Sequence, residues 1–107
     1  MNTPKATKLT PGDAQVMGIA TVRSILGPSV GAPFTVGVVE FTSGEAETHV
    51  EHDEALYCLS GSLKVEQGET THDLAEGDLL WLPAGVTIRF VSGAPGKLLY
   101  LIHSAQG

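Results

Sequence analysis

Short runs rich in β-branched and aromatic residues fill this sequence, and glycine or proline interrupts them roughly every eight to twelve residues. Helical periodicity, with apolar residues three or four positions apart, is nearly absent. The strands predicted from these runs span residues 16–25, 34–42, 46–50, 55–60, 62–67, 70–74, 79–82, 86–91 and 97–103. Many short strands at this spacing predict an all-β sandwich or barrel, and 107 residues are the length of one domain.

The two ends of the chain and its single cysteine bound the class of protein. Residues 1–14, which include Pro11-Gly12, are predicted to form an N-terminal arm, so that residues 15–107 make up the domain. No targeting segment is visible, and no apolar run approaches the roughly 18 residues of a membrane helix. Cys58 alone cannot form an intramolecular disulfide and fits a reducing compartment. We therefore expect a cytoplasmic protein without membrane contact.

The net charge of −6 is concentrated in one short stretch. Twelve acidic residues oppose six basic ones, which argues against nucleic acid as a partner. Within residues 45–54 there is no lysine or arginine, whereas five acids occur there: Glu45, Glu47, Glu51, Asp53 and Glu54. The rest of the chain carries a net charge of only −1. A carboxylate cluster of this kind is expected to hold a metal, a proton or a cationic ligand.

Two predicted strands, 55–60 and 97–103, are apolar on both of their faces. Tyr57 and Leu59 lie on one side of the first strand, and Leu56 and Cys58 lie on the other. These side chains cannot all fill one small barrel. A second buried face predicts another sheet or another subunit, and we expect a homodimer.

Two glycine-containing motifs place the chain in a known fold. In Glu54-Ala-Leu-Tyr-Cys-Leu-Ser-Gly61 a glutamate precedes a glycine by six intervening residues, and in Gly77-Asp-Leu-Leu-Trp-Leu-Pro83-Ala-Gly85 a glycine precedes Pro-x-Gly. These resemble the two cupin motifs, G-x5-H-x-H-x(3–4)-E-x6-G and G-x5-P-x-G-x2-H-x3-N. The resemblance covers about residues 34–103 and implies a jelly-roll β-barrel with a small-molecule pocket.

The resemblance also assigns positions for metal ligands. The glutamate of motif one corresponds to Glu54, its second histidine to His49, and its first histidine to Glu47. The histidine of motif two corresponds to Ile88, which cannot bind a metal. Only two of the four family ligands are thus kept by type, with Glu47 an acceptable replacement for a third.

Strand spacing points to the same patch independently of the family. Glu47 and His49 are two residues apart, so both should lie on one face of a short strand, and a turn at 50–53 could return Glu54 beside them. His52 in that turn is a further candidate ligand. Carboxylate and imidazole ligands suit Zn, Mn, Fe or Ni, with a position left open for water or substrate.

Further strings resemble the ethanolamine-utilisation Q-type branch of the cupins, in which the motif-two histidine position is also apolar. They include His52-Asp-Glu-Ala-Leu-Tyr-Cys-Leu-Ser-Gly-Ser-Leu and Pro83-Ala-Gly-Val-Thr-Ile-Arg-Phe. The resemblance implies a cupin that does not depend on the usual four-ligand metal. The acetate kinase activity linked to some members is not carried over, because no glycine-rich phosphate loop or basic cluster is present.

Three functions stay open at the level of sequence. In the first, a metal held by Glu47, His49, His52 and Glu54 acts as a Lewis acid or activates water. In the second, the site is metal-free, and a desolvated carboxylate such as Glu54, with His52 nearby, is the general acid or base of an isomerase or lyase. In the third, the chain is a non-catalytic module that binds or senses a small molecule.

Overall fold

The computed structural model describes residues 14–17, 20–27 and 32–103, which form ten β-strands. The strands are β1 (Ala14–Met17), β2 (Ala20–Leu26), β3 (Phe34–Phe41), β4 (Gly44–His49), β5 (Glu54–Ser60), β6 (Ser62–Gln67), β7 (Thr70–Ala75), β8 (Leu79–Leu82), β9 (Thr87–Ser92) and β10 (Gly96–His103). The predicted all-β class is confirmed. No apolar helix of bilayer-spanning length occurs in the part of the chain that the structure describes.

The strands form two antiparallel sheets. One has six strands in the order β1-β2-β3-β10-β5-β8, and the other has four in the order β4-β9-β6-β7. The chain changes sheet between β3 and β4, so strands distant in sequence become neighbours, as in a jelly roll. This exchange places β4, which carries two of the five acids of residues 45–54, opposite the sheet that contains β5 and β10.

The N-terminal predictions differ from the structure in one respect. The single strand expected at 16–25 is two strands, β1 and β2, paired so that Met17 lies opposite Ala20. A two-residue connection leaves almost no break in an apolar pattern, so periodicity alone merges two such strands. Of the arm predicted at residues 1–14, only Ala14 belongs to the described residues, and it begins β1.

The core lies between the two sheets, and its side chains come mainly from alternate positions of the strands. On β5, Leu56 and Cys58 are buried, whereas Tyr57 between them is exposed. The four-stranded sheet contributes Val65 and Ile88, which are also almost completely buried. Because one face of each sheet supplies the core, the other face must meet water or another surface.

The glycines of the two sequence motifs adopt conformations that other residues rarely take. Gly61, Gly77 and Gly85 have φ angles of 79°, 91° and 98°, each in a tight connection between strands. A Cβ on Gly61 would also lie 2.9 Å from the carbonyl oxygen of Pro95. The motif spacing therefore reflects three turns whose glycines have left-handed backbone. These turns fix where the strands on either side of them begin and end.

Candidate functional site

A cavity of about 770 Å³ opens between the two sheets. Apolar side chains from both sheets make up most of its wall: Val22, Val39, Phe41, Leu56, Leu63, Phe90 and Leu98. Polar groups on its wall include those of Ser24, Thr48, Glu54 and Tyr100, and its rim includes His52. A mostly apolar cavity with a few convergent polar groups has the character of a small-molecule site.

Glu54 is the first residue of β5 and lies in phase with the buried Leu56 and Cys58. Its strand neighbours are Leu82 on one side and Ile102 on the other, so apolar residues flank it. Loss of water around the carboxyl group raises its pKa from 4.5 to about 7. At neutral pH the group is present in both its protonated and its ionised form, so it can give or accept a proton.

Tyr100 and Ser24 form a second polar feature of the cavity. Tyr100 on β10 is 4% exposed, and its hydroxyl lies 3.0 Å from the hydroxyl of Ser24 on β2. Gly37 on the intervening strand makes this contact possible, since a Cβ there would lie 2.5 Å from the Tyr100 hydroxyl oxygen. The sequence motifs and the strand spacing did not indicate this pair. The available signal was a glycine inside an apolar strand, which often marks a close approach.

Glu54 and Tyr100 belong to the same wall of the cavity. In the register of β5 and β10, Tyr100 is opposite Leu56 and Ile102 is opposite Glu54. Glu54 and Tyr100 are therefore diagonal neighbours on adjacent strands, on the same inward face. Long side chains at diagonal positions, with backbones about 7–8 Å apart, reach a common molecule.

Glu47 and His49 border the cavity, but they lie on the exposed side of β4. His49 Nδ1 is 3.1 Å from the Thr87 hydroxyl oxygen at the surface. Glu47 pairs in register with the exposed Arg89, which makes an ion pair with Glu45 on the same face. The expectation that Glu47 and His49 share one face is met, but that face is the outer one.

His52 and Asp53 lie in the exposed connection between β4 and β5. The side-chain carboxylate of Asp53 accepts a hydrogen bond of 2.9 Å from the Ala84 backbone N–H. The backbone carbonyl of Asp53 accepts a second one, of 3.0 Å, from the His103 backbone N–H. Asp53 thus ties this connection to two neighbouring segments immediately before Glu54. His52 lies at the rim, near the entrance to the cavity.

The four predicted ligands are not brought together. Residues 14–17, 20–27 and 32–103 contain no group of three histidine, cysteine, aspartate or glutamate side chains that could hold a metal ion. The reason is the phase of β4, whose inward positions are Ala46 and Thr48 and not Glu47 and His49. Val50 continues that phase and is 4% exposed.

Motif one allows either three or four residues between its second histidine and its glutamate. If three residues are counted back from Glu54 and not four, the two histidine positions fall on Thr48 and Val50. The motif-two position, Ile88, is buried and pairs with Thr48. Of the four positions from which cupins commonly hold a metal, only Glu54 then bears a ligand. The residues present on the inner face do not fit a metal centre of the usual cupin type.

The basic side chains that the structure describes all lie away from the cavity. Arg23 Nε is 3.3 Å from Glu40 Oε1, and Lys64 Nζ is 2.8 Å from Asp73 Oδ1. Arg89 contacts Glu45 and Glu66, while Lys97 is exposed opposite Glu40 in the sheet register. None of these cations lines the cavity, so its wall offers an acid and hydroxyl groups without a compensating positive charge.

The two antiparallel sheets, the cavity between them and Glu54 on its inner wall agree with the jelly-roll barrel of the cupins. The model of the EutQ-like cupin domain matches residues 29–94. The chain therefore belongs to the EutQ-like cupin family, and the resemblance found in the sequence motifs is confirmed. A comparison with curated proteins finds no match.

Solved structures with the same fold serve several different functions. The polyketide cyclase RemF from Streptomyces resistomycificus is 20% identical, with a TM-score of 0.80 over 95% of this chain and 80% of that one. Ectoine synthase from P. lautus is 19% identical, with a TM-score of 0.79 over 86% and 69%. The EutQ protein of Clostridium difficile is 17% identical, with a TM-score of 0.76 over 82% and 70%. At these identities the likeness extends to the fold alone.

Proposed function

We propose that this cupin binds a small, largely apolar molecule in the cavity and that Glu54 acts on it as a general acid and base. The observation that carries the proposal is the placement of Glu54. Among the described strands, it is the only carboxylate at a position in phase with the core, and it lines the cavity. A burial-raised pKa of about 7 suits a group that must both take and return a proton near neutral pH.

The reaction class that fits is an isomerisation, or an elimination of the lyase type, that begins with proton abstraction. The ionised Glu54 carboxylate removes a proton from a carbon next to a carbonyl group, and the electron pair moves to the carbonyl oxygen. Tyr100 donates a hydrogen bond to the oxygen that gains negative charge, while Ser24 orients the phenol. The electron pair then returns from the oxygen and re-forms the carbonyl group. In an isomerisation the protonated Glu54 gives its proton to another carbon of the molecule, where a new C–H bond forms. In an elimination a carbon–carbon double bond forms, the bond from the next carbon to the leaving group breaks, and the leaving group takes the proton from Glu54.

The charge of the cavity restricts the substrate. A carboxylate or phosphate group would face Glu54 without any of the four described cations, whose ion pairs and exposure keep them on the outer faces. Neutral or cationic molecules face no such penalty, and Phe41, Phe90 and Tyr100 offer aromatic surface. A neutral or amine-bearing molecule with an apolar body is the substrate class that this wall favours.

Two observations concern the enzymatic role of the cavity and the binding of a metal there. A polyketide cyclase and an ectoine synthase share the fold, which supports an enzymatic role for the cavity. A divalent Zn, Mn, Fe or Ni ion would find a single ligand, Glu54, on the inner face, because Glu47 and His49 are directed outward. The mechanism proposed here routes no step through a metal.

Hydrogen–deuterium exchange into a bound substrate tests the proposal. A panel of neutral, amine-bearing and anionic carbonyl compounds would first be ranked by their effect on the melting temperature. The compounds that bind would then be incubated in D₂O and examined by NMR for exchange at the carbon next to the carbonyl group. We expect exchange with the wild type, loss of exchange in Glu54→Gln with binding retained, and weaker exchange in Tyr100→Phe.

A matched control and two contrary results complete the design. Glu69→Gln, in the exposed turn between β6 and β7 and outside the cavity wall, should leave exchange unchanged. Exchange that persists in Glu54→Gln would refute the role of Glu54. Tight binding without exchange or turnover would replace the enzymatic role by that of a binding or sensing module.

A further inference from the structure

Two connections between strands meet beside the start of β5. Residues 50–53 join β4 to β5, and residues 83–86 join β8 to β9. The Val50 backbone N–H donates a hydrogen bond of 2.8 Å to the Val86 carbonyl, and the Gly85 N–H donates one of 2.7 Å to the Val50 carbonyl. Val50 is also buried, so the first half of the β4–β5 connection is held by both packing and hydrogen bonds.

Asp53 holds the second half of the same connection. Its side-chain Oδ1 accepts the Ala84 N–H from the turn after β8, and its backbone carbonyl accepts the His103 N–H at the end of β10. The strands β8 and β10 are the two neighbours of β5 in the sheet. Asp53 therefore fastens the chain to both neighbours one residue before Glu54. Without such contacts the first residue of a strand opens readily to solvent.

Asp53 does not reach the cavity itself. Glu51, His52 and Glu54 lie on the cavity wall or rim, whereas Asp53 is exposed and is not part of the lining. Successive side chains point to opposite faces of a strand, so the outward direction of Asp53 accompanies the inward direction of Glu54. The hydrogen bonds of Asp53 can thus affect chemistry in the cavity only through the placement of neighbouring residues.

We propose that Asp53 is a positioning residue for Glu54: the hydrogen bond from the Ala84 N–H to its carboxylate holds the start of β5 so that the Glu54 side chain stays inside the cavity. The catalytic consequence rests on the proposed role of Glu54 as a general acid and base, whereas the effect on the placement of Glu54 does not.

The turn after β8 explains why an acceptor is needed at residue 53. Ala84 lies between Pro83 and Gly85, and the φ of 98° at Gly85 makes the turn tight. The pairing of β5 with β8 ends at Glu54 and Leu82, so the Ala84 N–H lies beyond the strand ladder. A backbone N–H in that position needs another acceptor, and an ionised carboxylate is a strong one.

Loss of this contact should let the Glu54 carboxyl group move toward water. Loss of water raises its pKa to about 7 in the folded protein, so a carboxyl group that regains water should have a lower pKa. A displacement of about 1 Å can also lower the rate of a catalysed reaction by as much as 100-fold. A substitution at residue 53 leaves in place the other titratable side chains of the cavity wall and rim: Glu47, His49, Glu51, His52 and Tyr100.

Two substitutions that remove the same charge separate the hydrogen bond of Asp53 from its charge. Asp53→Asn keeps an oxygen that can accept the Ala84 N–H, and Asp53→Ala does not. Carbon-13 NMR of the glutamate side chains, with the Glu54 signal assigned by its absence in Glu54→Gln, measures the pKa of Glu54 in each protein. We expect Asp53→Ala to lower this pKa by about one unit or more and Asp53→Asn to leave it near the wild-type value. Exchange of the Ala84 amide with D₂O should become faster in Asp53→Ala alone, which checks the contact in solution.

Hydrogen–deuterium exchange into a bound carbonyl compound provides the catalytic readout. For a compound that exchanges with the wild type, Asp53→Ala should lower the rate at saturation about 10-fold or more. The half-saturating concentration should change little, because the apolar wall that binds the compound is intact. Asp53→Asn should restore most of the rate. A residue needed only for stability would lower the melting temperature without this difference in rate between folded variants.

Two results would overturn the proposal. An unchanged pKa of Glu54 in Asp53→Ala would mean that Asp53 does not position it, and equal shifts in Asp53→Ala and Asp53→Asn would mean that the charge acts and not the hydrogen bond. If no compound exchanges with the wild type, the general acid–base role of Glu54 fails, and the comparison of pKa values still decides the role of Asp53. Circular dichroism checks folding, and Asp53→Leu, which has the size of asparagine but no acceptor, replaces Asp53→Ala if the latter is unfolded.

Discussion

The partly buried carboxyl group of Glu54 should make the protein less stable as the pH rises. Its pKa is 4.5 when exposed to water and about 7 in the folded protein. Between these two values the folded state binds more protons than the unfolded state, so the free energy of unfolding falls with increasing pH. Above pH 7 both states have lost the proton, and the difference no longer grows.

The magnitude follows from the size of the shift. The change from 4.5 to about 7 corresponds to roughly 3 kcal/mol, at 1.36 kcal/mol for each unit of pKa. Glu54→Gln removes the titration but keeps the size of the side chain. Relative to the wild type, the free energy of unfolding of Glu54→Gln should therefore rise by about 3 kcal/mol between pH 4.5 and pH 8. In a domain of this size that corresponds to a change in melting temperature of about 13 °C.

Urea denaturation of the two proteins at half-unit pH intervals measures this difference. Subtraction of the wild-type curve from the Glu54→Gln curve cancels the titration of all other groups. Glu69→Gln, in the exposed turn between β6 and β7, is the control and should give a difference that does not depend on pH. A flat difference for Glu54→Gln, or one that falls as the pH rises, would refute the conclusion that burial raises the pKa of Glu54.

Two further predictions concern packing and metal binding. Gly37→Ala should lower the free energy of unfolding by about 1–3 kcal/mol, because the new Cβ would lie 2.4 Å from the Arg23 carbonyl oxygen and 2.5 Å from the Tyr100 hydroxyl oxygen. Gly93→Ala is the control and should have little effect, since no atom lies within 4 Å of its Cβ. Equal losses of stability for the two variants in thermal denaturation would contradict this account. Elemental analysis of untagged protein should find less than one divalent metal per chain, unchanged in His49→Ala; a stoichiometric metal that this substitution removes would place His49 in a metal site.

The site was only partly predictable from the sequence, and β4 shows why. Glu47 and His49 were correctly expected to share a face, since alternation along a strand is local geometry. Which face points inward depends on how the connection at residues 50–53 joins β4 to β5. A change of one residue in that connection reverses every side chain of the strand. The predicted ligand set failed to converge for this reason, although Glu54 itself lies where the motif suggested.

Tyr100 and Ser24 illustrate a second limit. These residues are 76 positions apart, and their contact exists because β2, β3 and β10 are adjacent in the sheet. No short-range pattern encodes that adjacency. Gly37 is the local feature that indicates this contact, because a side chain at that position would collide with the Tyr100 ring. That reason becomes visible only in the folded structure.

The sequence by itself determined the fold class, the turns and the position of a glutamate at the start of β5. Glycines that need left-handed backbone, and strands that alternate in polarity, act over a few residues and can be read along the chain. The tertiary structure alone decided which side chains share the cavity with Glu54 and which of the described cations are kept away from it. Those properties depend on how distant strands pair and on which side of a sheet faces the core.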